Sequence, residues 1–385
     1  MSRYFDEICK ALEATLGTGE EIVHRGRLAQ YWARRGDREK SKSEIARCRG
    51  SRDFFMKTEA VANINIAEAV LLASLGRLAE STTLARRALA MLRVGAPTSL
   101  ETAGILGWVA HFEHLNQVDS DAILSLEDGF SSLPESNPSY WFRLLLTVAD
   151  MLAFSGELDS ARDWYRRARR AAELSGDEIA VAELTYNMAA YFCHETRIRE
   201  AQHAVSEAEI GNCLRFVSTA KSYSGLRCGS DSEWMLRILE MQALMLDRRY
   251  QEVVVTADRD GYQDLLFLIR EELRLLLRAD VQLCFSRRSK DLVNIDEITD
   301  IAELTRSEID AGDRGLIFSS LGAAASVVPG LSALSRRFFE QASECFSLNR
   351  LEQLRISDGL KGARFFNSGA DLDAILFAPQ RAITL

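Results

Sequence analysis

Large apolar, small and turn-forming positions recur along this chain at one fixed interval. Gly36, Gly76, Asn116, Gly156 and Thr196 each lie 40 residues from the next. Four residues before them stand Trp32, Leu72, Phe112, Leu152 and Phe192, all large and apolar. Seven before stand Ala29, Ala69, Val109, Ala149 and Ala189, mostly small. Five after stand Ser41, Ser81, Asp121, Ala161 and Ala201. Offsets of three and four share one face of a helix, so each unit is predicted to be two amphipathic helices flanking a turn. Small positions let two helices approach, and large ones fill the space between them. A period of this length predicts an all-α solenoid whose units bury their apolar faces only against neighbours.

The ladder divides the chain. Residues 1–20 are expected to hold a capping helix (Arg3–Leu16) closed by Gly17, and residues 21–217 five repeats. The Ser- and Gly-rich stretch Ser218–Ser232 reads as an insertion loop. Residues 233–330 read as degenerate helical repeats, the first with its turn at Arg248. Expected helices there are Tyr262–Phe285, Asp296–Ala311 and Arg314–Val328, broken at Gly312 and at Val328-Pro329-Gly330. Residues 331–385 should supply C-terminal capping helices, Leu331–Phe346 and Arg350–Phe366, and a tail.

This pattern resembles the tetratricopeptide repeat. The fourth unit matches most fully, with Ala149, Leu152, Gly156, Leu158, Ala161, Tyr165 and Ala168; the second follows with Ala69, Leu72, Gly76, Leu78, Ser81, Ala85 and Ala88. The family's usual period is about 34 residues, so the longer period here implies a long-helix variant. The third unit departs most, because Asp121 and Asp128 occupy small core-facing positions. Either the unit is distorted there or its acids face a ligand. The resemblance implies a right-handed superhelix of TPR-like helix pairs whose first helices line a concave groove. On that register Arg143, Asp150, Asn187, Glu183, Tyr186, His114, His194 and Phe154 are the candidate partner- or peptide-binding residues. Asn187 falls where family members use Asn to hold a peptide backbone. Arg27, Gln30 and Arg34 form a second polar cluster in the first unit. In the sixth unit Met235, Ile238, Leu239, Gln242, Met245 and Leu246 make an apolar wall suited to a partner helix, to a second copy of the chain, or to packing against the C-terminal helices.

Composition narrows the function classes. A net charge of −9 argues against a general nucleic-acid or anionic-membrane role. No segment has the run of about 18 apolar residues that a membrane span needs, and the charged first helix is unlike a secretory signal. Seven scattered Cys without a CxxC pair point to free thiols in a reducing compartment, hence a cytoplasmic protein. The run Arg162, Arg166, Arg167, Arg169 and Arg170, with Trp164 and Tyr165 interleaved, reads as the solvated face of a helix.

No catalytic constellation is expected. Phosphate-binding Gly-rich loops and GxSxG elbows are absent. His111 and His114 are three apart with Glu113 between them, but no third ligand follows, so no metal and no cofactor is expected. Arg197 and His203 match the loose spacing of helical ribonucleases and nothing else supports that reading. Two expectations result. The chain is a cytoplasmic interaction scaffold that takes a protein or peptide in its groove. Alternatively it is a sensing regulator, in which a peptide or small ligand alters the superhelix and, through it, an output surface.

Overall fold

In the computed structural model the chain is described over residues 2–97, 99–132, 139–226, 230–259, 271–289, 292–367 and 373. Among them the regular structure is entirely helical. The helices are α1 (Arg3–Ala14), α2 (Glu21–Arg35), α3 (Arg38–Gly50), α4 (Thr58–Ala73), α5 (Leu78–Gly95), α6 (Glu101–Leu115), α7 (Asp119–Ser131), α8 (Ser139–Phe154) and α9 (Leu158–Ser175). They continue as α10 (Glu178–Ala201), α11 (Glu207–Ser222), α12 (Ser230–Leu246), α13 (Tyr250–Arg259), α14 (Glu271–Arg288), α15 (Ile295–Leu304), α16 (Ala311–Ala325), α17 (Ser332–Gly362) and α18 (Arg364–Asn367). No helix among the described residues is long and apolar enough to cross a membrane.

The turns of the ladder share one hydrogen-bond device. At Gly36 the N–H donates to the Ala33 carbonyl, and the next N–H, of Asp37, reaches back to Trp32. This is the Schellman closure, which needs a left-handed residue after the helix; Gly36 supplies it at φ 87°. The same two bonds recur at Gly76, Gln117, Gly156, His203 and Arg248, all with positive φ. The third turn therefore centres one residue later than read from the sequence, on Gln117 rather than Asn116.

The fifth turn is a larger correction. Thr196 lies inside α10, its hydroxyl donating to the Phe192 carbonyl. The closure comes at His203, seven residues on. Seven residues are close to two helical turns, so the helix lengthens without rotating its buried face away. The expected loop Ser218–Ser232 also shortens, since α11 runs to Ser222, while residues 227–229 lie outside the described residues. Gly312 does not break a helix. It lies in the first turn of α16, where its N–H donates to the capping carboxylate of Asp310. The two expected C-terminal helices are one continuous α17. Of the expected helix Tyr262–Phe285, residues 262–270 lie outside the described residues, as does the tail beyond Asn367 apart from Asp373.

The chain forms two compact units, Met1–Met188 with Tyr223–Ser232 and Ile356–Leu385, and Ala189–Ser222 with Glu233–Arg355. In the first, α2 packs on α3, α4 on α5, α6 on α7 and α8 on α9, while α2, α4, α6 and α8 pack successively on one another. Its core holds the predicted framework: Ala29, Ala69, Ala85, Ala88, Val109, Phe112, Leu152 and Ala168 are buried. The irregular acids of the third repeat have cationic partners on α5. Arg86 pairs with Glu113 and Asp121, and Arg93 with Asp128. The Arg86–Asp121 and Arg93–Asp128 pairs are about half exposed on both sides and so add little stability.

In the second unit α13, α15 and α16 pack on α14. Much of the apolar wall of the sixth repeat is buried there: Ile238 and Met245 pack with Met241, Leu244, Val253, Val254, Leu277 and Val281. Leu239 and Leu246 are buried as well, while Met235 and Gln242 stay partly exposed.

Candidate functional site

The first unit holds a partly open cavity of about 390 Å³. Its walls follow from helical spacing. Arg27, Gln30 and Arg34 lie three and four apart on α2; Glu101, Gly104, Ile105 and Trp108 occupy one stripe of α6; Tyr140 and Arg143 are three apart on α8. Asn63 enters from α4, and Ser175 and Asp177 from the α9–α10 junction. The remaining wall is α1, through Tyr4, Ile8 and Ala11.

The aromatic side of α1 seats this helix. Phe5 packs tilted against Tyr31 and edge-on to Trp32, and Ile8 is buried with Leu28, Tyr31 and Ile179. The Tyr4 N–H donates to the Gly176 carbonyl. Thus α1 touches both α2 and α10, and the capping helix of the sequence reading is also part of the cavity wall. Burial pushes the Tyr4 phenol up to about 12, with Asp177 adding to the effect, so it stays a neutral donor.

Three guanidinium groups meet three carboxylates around this space. Arg34 Nη1 donates to Asp177 at 2.7 Å. Arg143 grips Glu183 with both terminal nitrogens, at 2.6 and 2.7 Å, while its Cζ lies 3.7 Å from the Trp108 ring centre. Arg27 donates to Glu101 at 2.7 Å and to the Tyr140 hydroxyl at 3.5 Å. Burial opposes ionisation of Glu183, but Arg143 and Arg34 outweigh it and hold the carboxyl below its usual range. Charges this far from water persist only when paired and hydrogen-bonded.

The pairing is nevertheless incomplete on the donor side. Arg34 Nε and Nη2, Arg143 Nε and Asn63 Nδ2 are buried without a hydrogen-bond partner. His24 Nδ1 and His111 Nδ1 are in the same condition. Burial, helped by Arg143, drives His111 down to about 3, so its ring is neutral.

The candidate residues read from the sequence distribute as follows. Arg143 and Glu183 are brought together as the bidentate pair. Asp150 is fully buried and accepts from the Tyr165 hydroxyl at 2.7 Å and from Asn187 Nδ2 at 2.9 Å. Burial raises it to about 7, against the pull of those two donors. Asn187 is therefore engaged by a carboxylate of its own chain. His114 is buried with Asp119 at 2.7 Å and meets the Phe154 ring edge-on. Tyr186 is half-buried on α10.

His194 belongs to the second unit. Its Nε2 lies 3.0 Å from Asp313, and His194, Asp310 and Asp313 present ligand atoms within 4.8 Å of one another. Burial lowers the basicity of His194, but Asp313, Asp310 and Glu195 raise it further, to about 9. A His with a raised folded pKa stabilises the native state fully below its unfolded value, about 6.5, and loses that contribution as pH climbs through 9. We expect the urea midpoint of the wild type to fall between pH 6.5 and 9 relative to His194→Gln; parallel profiles would remove His194 as the titrating group.

Arg197 is buried and donates to Asp280, which also accepts from Ser320, whereas His203 sits on an exposed turn. Much of the basic run of α9 is matched: locally Arg162 pairs with Asp159, Arg166 with Asp163 and Arg169 with Glu173, and across the chain Arg167 pairs with Asp373.

Sequence reasoning had placed Arg27, Gln30, Arg34, Arg143 and Glu183 on inward faces. It missed Tyr4, Glu101, Trp108, Tyr140 and Asp177. The stripe from Glu101 to Trp108, seven apart on one helix face, was a usable signal for two of them. Nothing local marked Tyr4, because its role depends on where α1 docks. No family model, no curated protein and no solved structure matches this chain.

Proposed function

We propose that this chain is a TPR-like helical-repeat binding protein, a right-handed superhelix in its regular part, that senses a small ligand or short peptide end in the cavity of its first unit. The observation that carries this reading is the convergence of the inward faces of α1, α2, α4, α6 and α8 on one mixed aromatic and charged space. Its volume falls in the range of about 300–1,000 Å³ typical of small-molecule sites. An extended protein segment needs a longer open channel, and α1 already occupies one side of this space. Sensing is then mechanical: α1 and the first helices contact the ligand together, so occupancy biases how they pack.

The scaffold reading has support of its own in the second unit. Leu348, Leu351 and Leu354, three apart on α17, are 46%, 56% and 42% exposed. A face of that kind suits a protein partner better than water, and it is the natural output surface for a sensor.

Native mass spectrometry of the full chain after incubation with a host small-molecule extract tests the primary reading. A retained adduct of small-molecule mass, accompanied by a change in the small-angle scattering profile, is expected. A bare protein mass together with unchanged scattering would rule out sensing at this cavity.

A further inference from the structure

The unmet donors around the cavity have a specific geometry. Arg34 uses Nη1 for Asp177 and leaves Nε and Nη2 without hydrogen-bond partners. Those two nitrogens form one edge of the guanidinium plane, the fork that matches the two oxygens of a carboxylate. The same edge does so elsewhere in this chain. Arg167 holds Asp373 through Nε and Nη2 at 2.7 and 2.9 Å, and Arg249 holds Glu252 the same way at 2.6 and 2.5 Å. The nearest acid to the open edge, Glu183, lies 3.6 Å from Nη2 and is already held by both terminal nitrogens of Arg143.

Two further side chains on the cavity wall are left wanting acceptors. Arg143 Nε and Asn63 Nδ2 are unpartnered, and both residues are more than nine-tenths buried, at 4% and 1% exposure. The two inner wall carboxylates, by contrast, are satisfied: Glu101 by Arg27, and Asp177 by Arg34 and the Ala180 N–H. Buried N–H groups without acceptors are costly, and a ligand that supplies the acceptors removes that cost on binding. Trp108, Tyr140 and Phe142 add apolar and aromatic surface beside these donors.

We propose that the cavity binds a small organic carboxylate, its carboxyl group forked on the Nε/Nη2 edge of Arg34 with Asn63 and Arg143 as supporting donors. This rests on the ligand-sensing reading and assigns its chemical class. With Arg27, Arg34 and Arg143 facing Glu101, Asp177 and Glu183, the cluster carries no excess charge. Selection therefore comes from unmet hydrogen bonds rather than from net attraction, and a site built that way rejects analogues lacking the acceptor strongly.

Calorimetric titration of the full chain with benzoate, phenylacetate and succinate, beside benzamide, phenylacetamide, succinamide, phenethylamine and inorganic phosphate, tests this. At least one carboxylate is expected to bind saturably and its amide at least about tenfold more weakly. Arg34→Lys retains a cation for Asp177 but removes the fork, and Asn63→Leu keeps the volume but removes a donor. Both should weaken the carboxylate by about tenfold or more, while circular dichroism reports whether each variant is folded. The proposal is overturned if no carboxylate binds, if amide and acid bind equally, or if folded Arg34→Lys binds like the wild type. Binding of the amine or phosphate alone would leave a ligand site standing and remove only the carboxylate assignment.

Discussion

Arg143→Ala is expected to destabilise the protein by about 3–5 kcal/mol, because it strands a buried carboxylate. Glu183 loses both of its short bonds, and the remaining cation, Arg34, stands 3.6 Å away. The substitution also removes the guanidinium lying over Trp108. The double variant Arg143→Met with Glu183→Leu is expected to recover most of the loss, since apolar replacement of a whole buried pair is often neutral or stabilising. Urea denaturation of wild type, Arg143→Met, Glu183→Leu and the double variant gives the coupling energy. A cost below about 1 kcal/mol for Arg143→Ala would mean that the pair behaves as a solvated surface bridge, and its reading as a buried pair would not survive that result. The same reasoning changes how these residues are used as probes. Asn187→Ala and Arg143→Ala both open internal hydrogen-bond networks, so lost ligand binding in either is interpretable only beside a stability measurement.

Trp164→Ala is expected to cost about 3–5 kcal/mol, the range for removing a large buried aromatic. Trp164 is 3% exposed on α9, a helix whose neighbouring arginines suggest an open face. It lies edge-on to Phe130 and Phe365 and stacks on Phe366, with the Arg167 guanidinium 4.9 Å above its ring. Arg167 in turn holds Asp373. The loss therefore has a local signature beyond a lower midpoint. Hydrogen exchange at residues 364–367 should accelerate more than exchange in α4. Uniform acceleration across the first unit would show that Trp164 serves the core of the repeats rather than the docking of α18.

The repeat was legible because its physics is local. A left-handed glycine ends a helix by two backbone bonds within six residues, so Gly36, Gly76 and Gly156 announce themselves. At two of the three non-glycine closures the reading slipped, by one residue at Gln117 and by seven at His203, while at Arg248 it agreed. Gln and His adopt positive φ at a cost that the surrounding packing must offset, and no local pattern encodes that packing. The acids of the third repeat were ambiguous for a similar reason. Asp121 and Asp128 are explained by Arg86 and Arg93 on the preceding hairpin, a match visible only once the hairpins are stacked.

The candidate site shows the same division. Inward-facing positions on α2, α6 and α8 follow from a 3.6-residue period, and several cavity residues were named on that ground alone. Their partners were not, because Arg34 finds Asp177 across 143 residues and Arg27 finds Glu101 across 74. By itself, then, the sequence determined an all-helical chain, the spacing of its hairpins and the faces they turn inward, all set by interactions within a few residues. Tertiary structure decided that α1 lies against those faces, that the groove candidates Asp150 and Asn187 satisfy each other, and that unmet donors surround a cavity. Each of these depends on how distant helices share a limited interior, where every buried charge and N–H competes for the same few acceptors.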